Sequence, residues 1–152
     1  MLRPILLATF VAGTLDILAA ICLTLFYGQR GVDDMLRGVA SGPFAGAGGW
    51  GISGAMLGLI VHFALMAIMA TVFVVAASRW RSLWQKPILW GLFYGLATYV
   101  VMNLIVVPLR FGAPLPPPTR AIVTQLFCHI VLVGIPIALI AARHFRRRSP
   151  FS

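Results

Sequence analysis

The sequence predicts an all-α membrane fold of four spanning helices in one bundle, and three observations predict it. Of its residues, 61% are apolar and only 10% are charged, whereas soluble domains carry about 25% charged residues. The apolar residues gather into four runs, each near the roughly 20 residues that a helix needs to cross a bilayer. The twelve Lys and Arg residues fall almost entirely between and after those runs rather than along them. A water-soluble chain so poor in charge could not cover its own surface, so lipid is its expected solvent. The chain reads as one four-helix transmembrane domain, 1–152, with spans at about 4–27, 51–77, 87–109 and 121–142.

The first run begins after Arg3 and includes the small pair Ala19-Ala20, features shared with a secretory signal. Its apolar stretch continues through Ile21, Leu23, Leu25 and Phe26, which is too long for a signal core. Cys22 follows Ile21 rather than the small residue a lipoprotein site requires, so the run is read as a helix that stays. Beyond it, Val32, Leu36 and Val39 recur at helical spacing, with Asp33 and Asp34 in the first turn and Gly42 as a stop. That pattern predicts a short amphipathic helix lying on the outer surface. The Gly-rich stretch 43–49 leads into the second run. Pro87 opens the third run, where a missing N–H costs nothing. Pro114, Pro116, Pro117 and Pro118 stiffen the next connection. Pro136 lies inside the fourth run and should kink it or release a carbonyl to another partner.

Orientation follows from the cations. Arg3, Arg79, Arg81, Lys86, Arg143, Arg146, Arg147 and Arg148 flank one side of the runs, while Arg30, Arg37, Arg110 and Arg120 flank the other. The richer side is expected to be cytoplasmic, which puts both termini there in a bacterial inner membrane. Trp80, Trp84 and Trp90 border the basic connection, and Tyr27 and Trp50 border the opposite face, as interfacial belts do. The net charge of +9 therefore reads as membrane topology. No basic stripe interleaved with aromatics is present, so nucleic acid is not an expected partner. Cys22 and Cys128 lie in apolar runs without metal-ligand spacing and read as buried thiols.

Lipid supplies no hydrophobic drive between helices, so small residues and polar contacts must hold them together. Gly54 and Gly58 on the second span, and Gly91 and Gly95 on the third, have the GxxxG spacing that admits close backbone approach. The first span offers a small face at Ala12, Gly13, Ala19 and Ala20. The same faces extend through the polar residues of the spans: Asp16, His62 and Asn103, with Gln125 and His129 together on the fourth. At 1.5 Å per residue, Asp16 and His62 lie roughly 16 Å below the outer end, His129 about 12 Å and Asn103 about 9 Å. One compact polar layer can contain them all.

Such residues are costly in a membrane and normally face inward with partners. Three uses compete for them. A hydrogen-bonded network could simply fix helix register, as in an accessory or interaction subunit of a membrane complex. Asp16 and a histidine in a dry layer could handle protons or ions near neutral pH. His62 and His129 could ligate one haem, or with Asp16 could form a two-His, one-carboxylate metal site, although no cofactor is the leading expectation. Nothing in the sequence has the nucleophile, paired-carboxylate or phosphate-loop pattern of an enzyme. Each half of the chain carries a polar residue on its first span and a histidine on its second, which is too little to make a repeat.

The segments Gly13-Thr14-Leu15-Asp16, Ala40-Ser41-Gly42, His62-Phe63, Tyr94-Gly95 and Val101-Met102-Asn103, with Pro108 and 134–138, resemble those of uncharacterised bacterial inner-membrane proteins of the YagU-like kind. The resemblance spans most of the chain. It implies a small inner-membrane protein and, through one member linked to acid resistance, a role for titratable groups. It assigns no catalytic residues. The expected function is thus a small proton- or ion-coupled membrane protein, with the bilayer as partner and self-association through the glycine faces.

Overall fold

The computed structural model describes residues 1–28 and 30–147, so Arg148 of the predicted basic flank lies outside the described residues. Six helices follow one another: α1 (Leu2–Tyr27), α2 (Val32–Ala40), α3 (Gly51–Arg79), α4 (Arg81–Gln85), α5 (Pro87–Phe111) and α6 (Thr119–Arg146). A single 3-10 turn, Ala47–Gly49, precedes α3. Helices α1, α3, α5 and α6 are long and apolar enough to cross a membrane, each within four residues of its predicted bounds. Their outward faces carry Leu6, Phe10, Ile52, Ile60, Ile68 and Leu109, all more than half exposed, as lipid-facing side chains are.

The described chain ends lie together. Arg3 and Leu7 of α1 share a cavity with Ile140, Arg143 and Arg147 of α6, and α4 joins them there through a hydrogen bond from the Arg146 guanidinium to the Gln85 carbonyl, 3.0 Å. We call this the terminal end, and the end bearing α2 and the proline-rich connection the distal end. Toward the terminal end, α1, α3 and α6 form a dry core of Ala8, Ala12, Ala70, Phe73, Val74, Ala77, Val133, Ile137, Ala138 and Ala141. Alanines dominate it because their small side chains let the backbones approach closely and gain dispersion contacts.

Helix α5 packs chiefly on α6. Three glycines make that crossing. A Cβ on Gly91 would lie 2.8 Å from the Ile135 Cα, one on Gly95 would enter the His129 carbonyl, and one on Gly134 would enter the Gly91 carbonyl. The predicted glycine pair of α5 therefore serves span-to-span packing, together with Gly134. Helix α5 reaches α3 through one long side chain: the Tyr94 hydroxyl donates to the Met69 carbonyl at 2.7 Å, with its ring edge-on to Phe73.

The second glycine pair has a different partner. Gly54 and Gly58 of α3 receive the short helix α2 and the turn before α3, so that a Cβ on Gly58 would enter the Leu36 carbonyl and one on Gly54 would meet the Ala47 carbonyl. The short helix exists as predicted, and it docks along α3. Helix α3 has 29 residues, roughly 43 Å at 1.5 Å rise, against a hydrocarbon thickness of about 30 Å. Its surplus turns supply the wall on which α2 sits. Arg110 of α5 fastens the other end of α2, donating from Nε to the Gly42 carbonyl at 2.6 Å and from a terminal nitrogen to the Ser41 carbonyl at 2.9 Å. These carbonyls lack helical partners, which is where a cation is favoured.

Pro136 does not produce a sharp break. Residues Cys128–Gly134 of α6 form a π-helical stretch ahead of it, and Val100–Val106 of α5 form another ahead of Pro108. A proline has no N–H to donate and its ring crowds the carbonyl four residues back. In both helices the residue before the proline bonds five residues back instead: Ile135 to Ile130, and Val107 to Met102. The backbone widens to i→i+5 spacing and the helix continues.

Candidate functional site

The polar residues of the spans form two separate pairs, one in each half of the chain, instead of a single layer. The first joins α1 to α3. His62 is buried, and its Nε2 lies 2.9 Å from the Gly13 carbonyl oxygen. A carbonyl only accepts, so Nε2 carries the hydrogen. Nδ1 is left facing the Asp16 carboxylate, 3.9 Å from Oδ2, and the Asp16 side chain is 21% exposed. Gly13 makes this contact available: a Cβ there would stand 2.7 Å from the Phe63 ring, so only glycine lets α1 approach closely enough for its carbonyl to meet His62.

The second pair joins α5 to α6. The Asn103 amide nitrogen lies 3.1 Å from His129 Nε2, and His129 Nδ1 lies 3.2 Å from the Thr98 hydroxyl. Thr98 in turn donates to the Gly95 carbonyl at 2.9 Å. With its hydrogen committed there, Thr98 must accept from Nδ1–H, leaving Nε2 to accept from Asn103. One neutral tautomer satisfies every contact, as a buried polar network requires. The edge of Tyr99 closes the ring from the side. The π-helical stretches hold both partners, Asn103 and His129, and such stretches are frequent at functional positions.

Gln125 belongs to neither pair. It lines a lateral groove of about 880 Å³ between α3 and α5, roofed by α2 and walled by Val61, Leu65, Met102 and Val106, with Arg30 and Arg110 at its rim. His129 lies one helical turn deeper than Gln125, so the groove leads from the distal end toward the second pair.

Of the groups in these pairs, Thr98 was not singled out from sequence, and Gly13 was read only as part of a small-residue face. Thr98 carried no signal, since threonines in apolar helices usually bond their own backbone. The Gly13 carbonyl carried none either, because a backbone acceptor is invisible to a reading of side chains. The metal alternative needs His62, His129 and Asp16 together, and among the described residues no three of His, Cys, Asp and Glu are grouped closely enough to hold a metal ion. A haem would need His62 and His129 alone, and both ring nitrogens of His129 are engaged by Asn103 and Thr98. Compared with known proteins, the chain matches no family model, no curated protein and no solved structure, so its chemistry is read from this geometry.

Proposed function

We propose that this chain is a multi-pass protein of the bacterial inner membrane, with both termini cytoplasmic, in which Asp16 and His62 hold one exchangeable proton for proton-coupled transport or a response to pH. The observation that carries the reading is the division of labour on the His62 ring. Nε2–H is spent on the Gly13 carbonyl, and the only titrating nitrogen, Nδ1, faces a carboxyl group 3.9 Å away. With one proton between them, the two groups are either both neutral or a compensated ion pair, the states a dry environment tolerates. Adding or removing a proton leaves a net charge among apolar helices, so the two titrate as a unit. Closing the gap to hydrogen-bond length, about 2.7–3.2 Å, requires only about an ångström of side-chain movement. The YagU-like resemblance, with its link to acid resistance, agrees with this use.

Nitrogen-15 NMR of the His62 ring in nanodiscs tests it. The pair reading expects the Nδ1 signal of the native chain to respond to pH and to change that response in Asp16→Asn. An Nδ1 signal indifferent to that substitution would sink it, and proton flux into liposomes separates transport from sensing. A second reading, in which the polar groups only fix helix register in an accessory subunit, is favoured for the other pair by the complete satisfaction of His129.

A further inference from the structure

The three acidic residues of the chain, Asp16, Asp33 and Asp34, all lie away from the terminal end. At the distal end three of the four cations have partners inside the molecule: Arg37 on Asp33 and Asp34, Arg110 on the α2 carbonyls, and Arg120 over the Tyr27 ring at 3.9 Å. The terminal end differs. Arg3 from the start of α1, and Arg143 and Arg147 from the end of α6, converge on one cavity of about 450 Å³. All three are exposed, and none has a side-chain hydrogen bond or ion pair among the described residues. His144 forms part of the wall, and Leu7 and Ile140 form an apolar floor. The positive-inside rule accounts for arginines at this end. It does not require three of them, from opposite ends of the chain, to meet over an apolar floor.

We propose that this cavity binds an anionic phospholipid of the adjoining leaflet. The headgroup phosphate sits among the three guanidinium groups, and the first carbons of an acyl chain run down over Leu7 and Ile140. Guanidinium forks match phosphate oxygens in pairs, and basic pockets between spanning helices recognise lipid headgroups in this way. The cavity volume falls in the range of about 300–1,000 Å³ usual for ligand sites. The apolar floor selects a lipid over a soluble anion, since a free phosphate gains nothing from it. The site rests on the membrane placement proposed above and is independent of the Asp16–His62 pair.

Native mass spectrometry of the purified chain, titrated with dioleoyl phosphatidylglycerol or dioleoyl phosphatidylcholine, tests the site. Resistance of the membrane-bound protein to alkaline extraction is checked first, and failure there overturns the membrane placement rather than the site. Each arginine removed is expected to weaken phosphatidylglycerol retention about 5-fold, and Arg3→Gln, Arg143→Gln and Arg147→Gln together about 100-fold. The charge-matched control Arg79→Gln, Arg81→Gln and Lys86→Gln, at the same end but off the cavity, should leave retention within about 2-fold. Equal losses in both triple variants would reduce the effect to diffuse surface attraction and overturn the site. So would no loss in the first, equal retention of phosphatidylcholine, or displacement by excess inorganic phosphate. If the triple variant does not fold, Arg143→Gln alone carries the same comparison.

Discussion

His62 and His129 are both buried in spanning helices, yet their surroundings give them different chemistry. His129 has a donor on one nitrogen and an acceptor on the other, so any added proton must break a bond to Asn103. Replacing His129 by leucine strands the Asn103 amide, whereas the Thr98 hydroxyl keeps its bond to the Gly95 carbonyl, and a stranded group costs about 1–3 kcal/mol. Thermal unfolding in detergent should show that loss, while Asn103→Leu combined with His129→Leu should recover part of it. A double variant no more stable than the single would contradict the network. His62 has one nitrogen without a hydrogen bond, and Asp16→Asn should change stability by less than the His129 substitution. Gly13→Ala separates these effects further. Its Cβ would push against Phe63, and overpacking of that kind costs about 1–3 kcal/mol while it also weakens the His62 bond to the backbone.

At the scale of elements, α2 depends on its own ion pairs and on its seat against α3. Asp33 and Asp34 both pair with Arg37, and the hydrogen bond from Arg37 holds the Asp33 carboxyl below its ordinary value of 3.8. A depressed carboxyl contributes stability that is fully present above the unfolded value and is lost as pH falls through the folded one. The protection of α2 amides, taken relative to their intrinsic exchange at each pH, should therefore be constant from neutral pH down to about 4, where the unfolded carboxyl begins to bind its proton, and fall only below that. Arg37→Gln should abolish the step, and an unchanged acid transition in that variant would assign it elsewhere. The π-helical stretches make a second test. Pro136→Ala restores a donor to the carbonyl of Leu132 and lets α6 return to α-helical spacing. Slipping by one residue turns a side chain by about 100°, so His129 should leave Asn103 and its ring NMR signals should shift. Unmoved signals would mean that packing against Gly95, and not the proline, sets the wider turn.

For the whole molecule, a dry alanine core near the terminal end and looser packing near the distal end divide the labour. The α5–α6 unit is locked by glycines, whereas α5 meets α3 mainly through Tyr94, which leaves the lateral groove beside α2. Gly95→Leu should therefore separate α5 from α6 and disrupt the fold as a whole, whereas Gly58→Leu should release only α2 and spare the four spans. Limited proteolysis of the connection 28–50 distinguishes the two. Topology is tested by reporter fusions: a C-terminal fluorescent protein should mature, and a cysteine placed at Pro117 should be reached by a membrane-impermeant thiol reagent from the periplasm. Labelling only after permeabilisation would invert the proposed orientation.

By itself the sequence determined the length and place of four apolar helices, the short helix between the first two, and the polar residues worth inspecting. These are local properties: apolar run length, helical periodicity, proline and charge position are all written along the chain. Tertiary structure alone decided which glycine faces which partner, because Gly54 and Gly58 look the same in sequence as Gly91 and Gly95 yet receive a short helix rather than a span. It also decided that Asp16 meets His62 and Asn103 meets His129, while Gln125 turns to the groove. Equal depth along separate helices fixes height but not rotation, and rotation depends on how the backbones approach and where a proline widens a turn. That is why the polar residues were legible and their pairing was not.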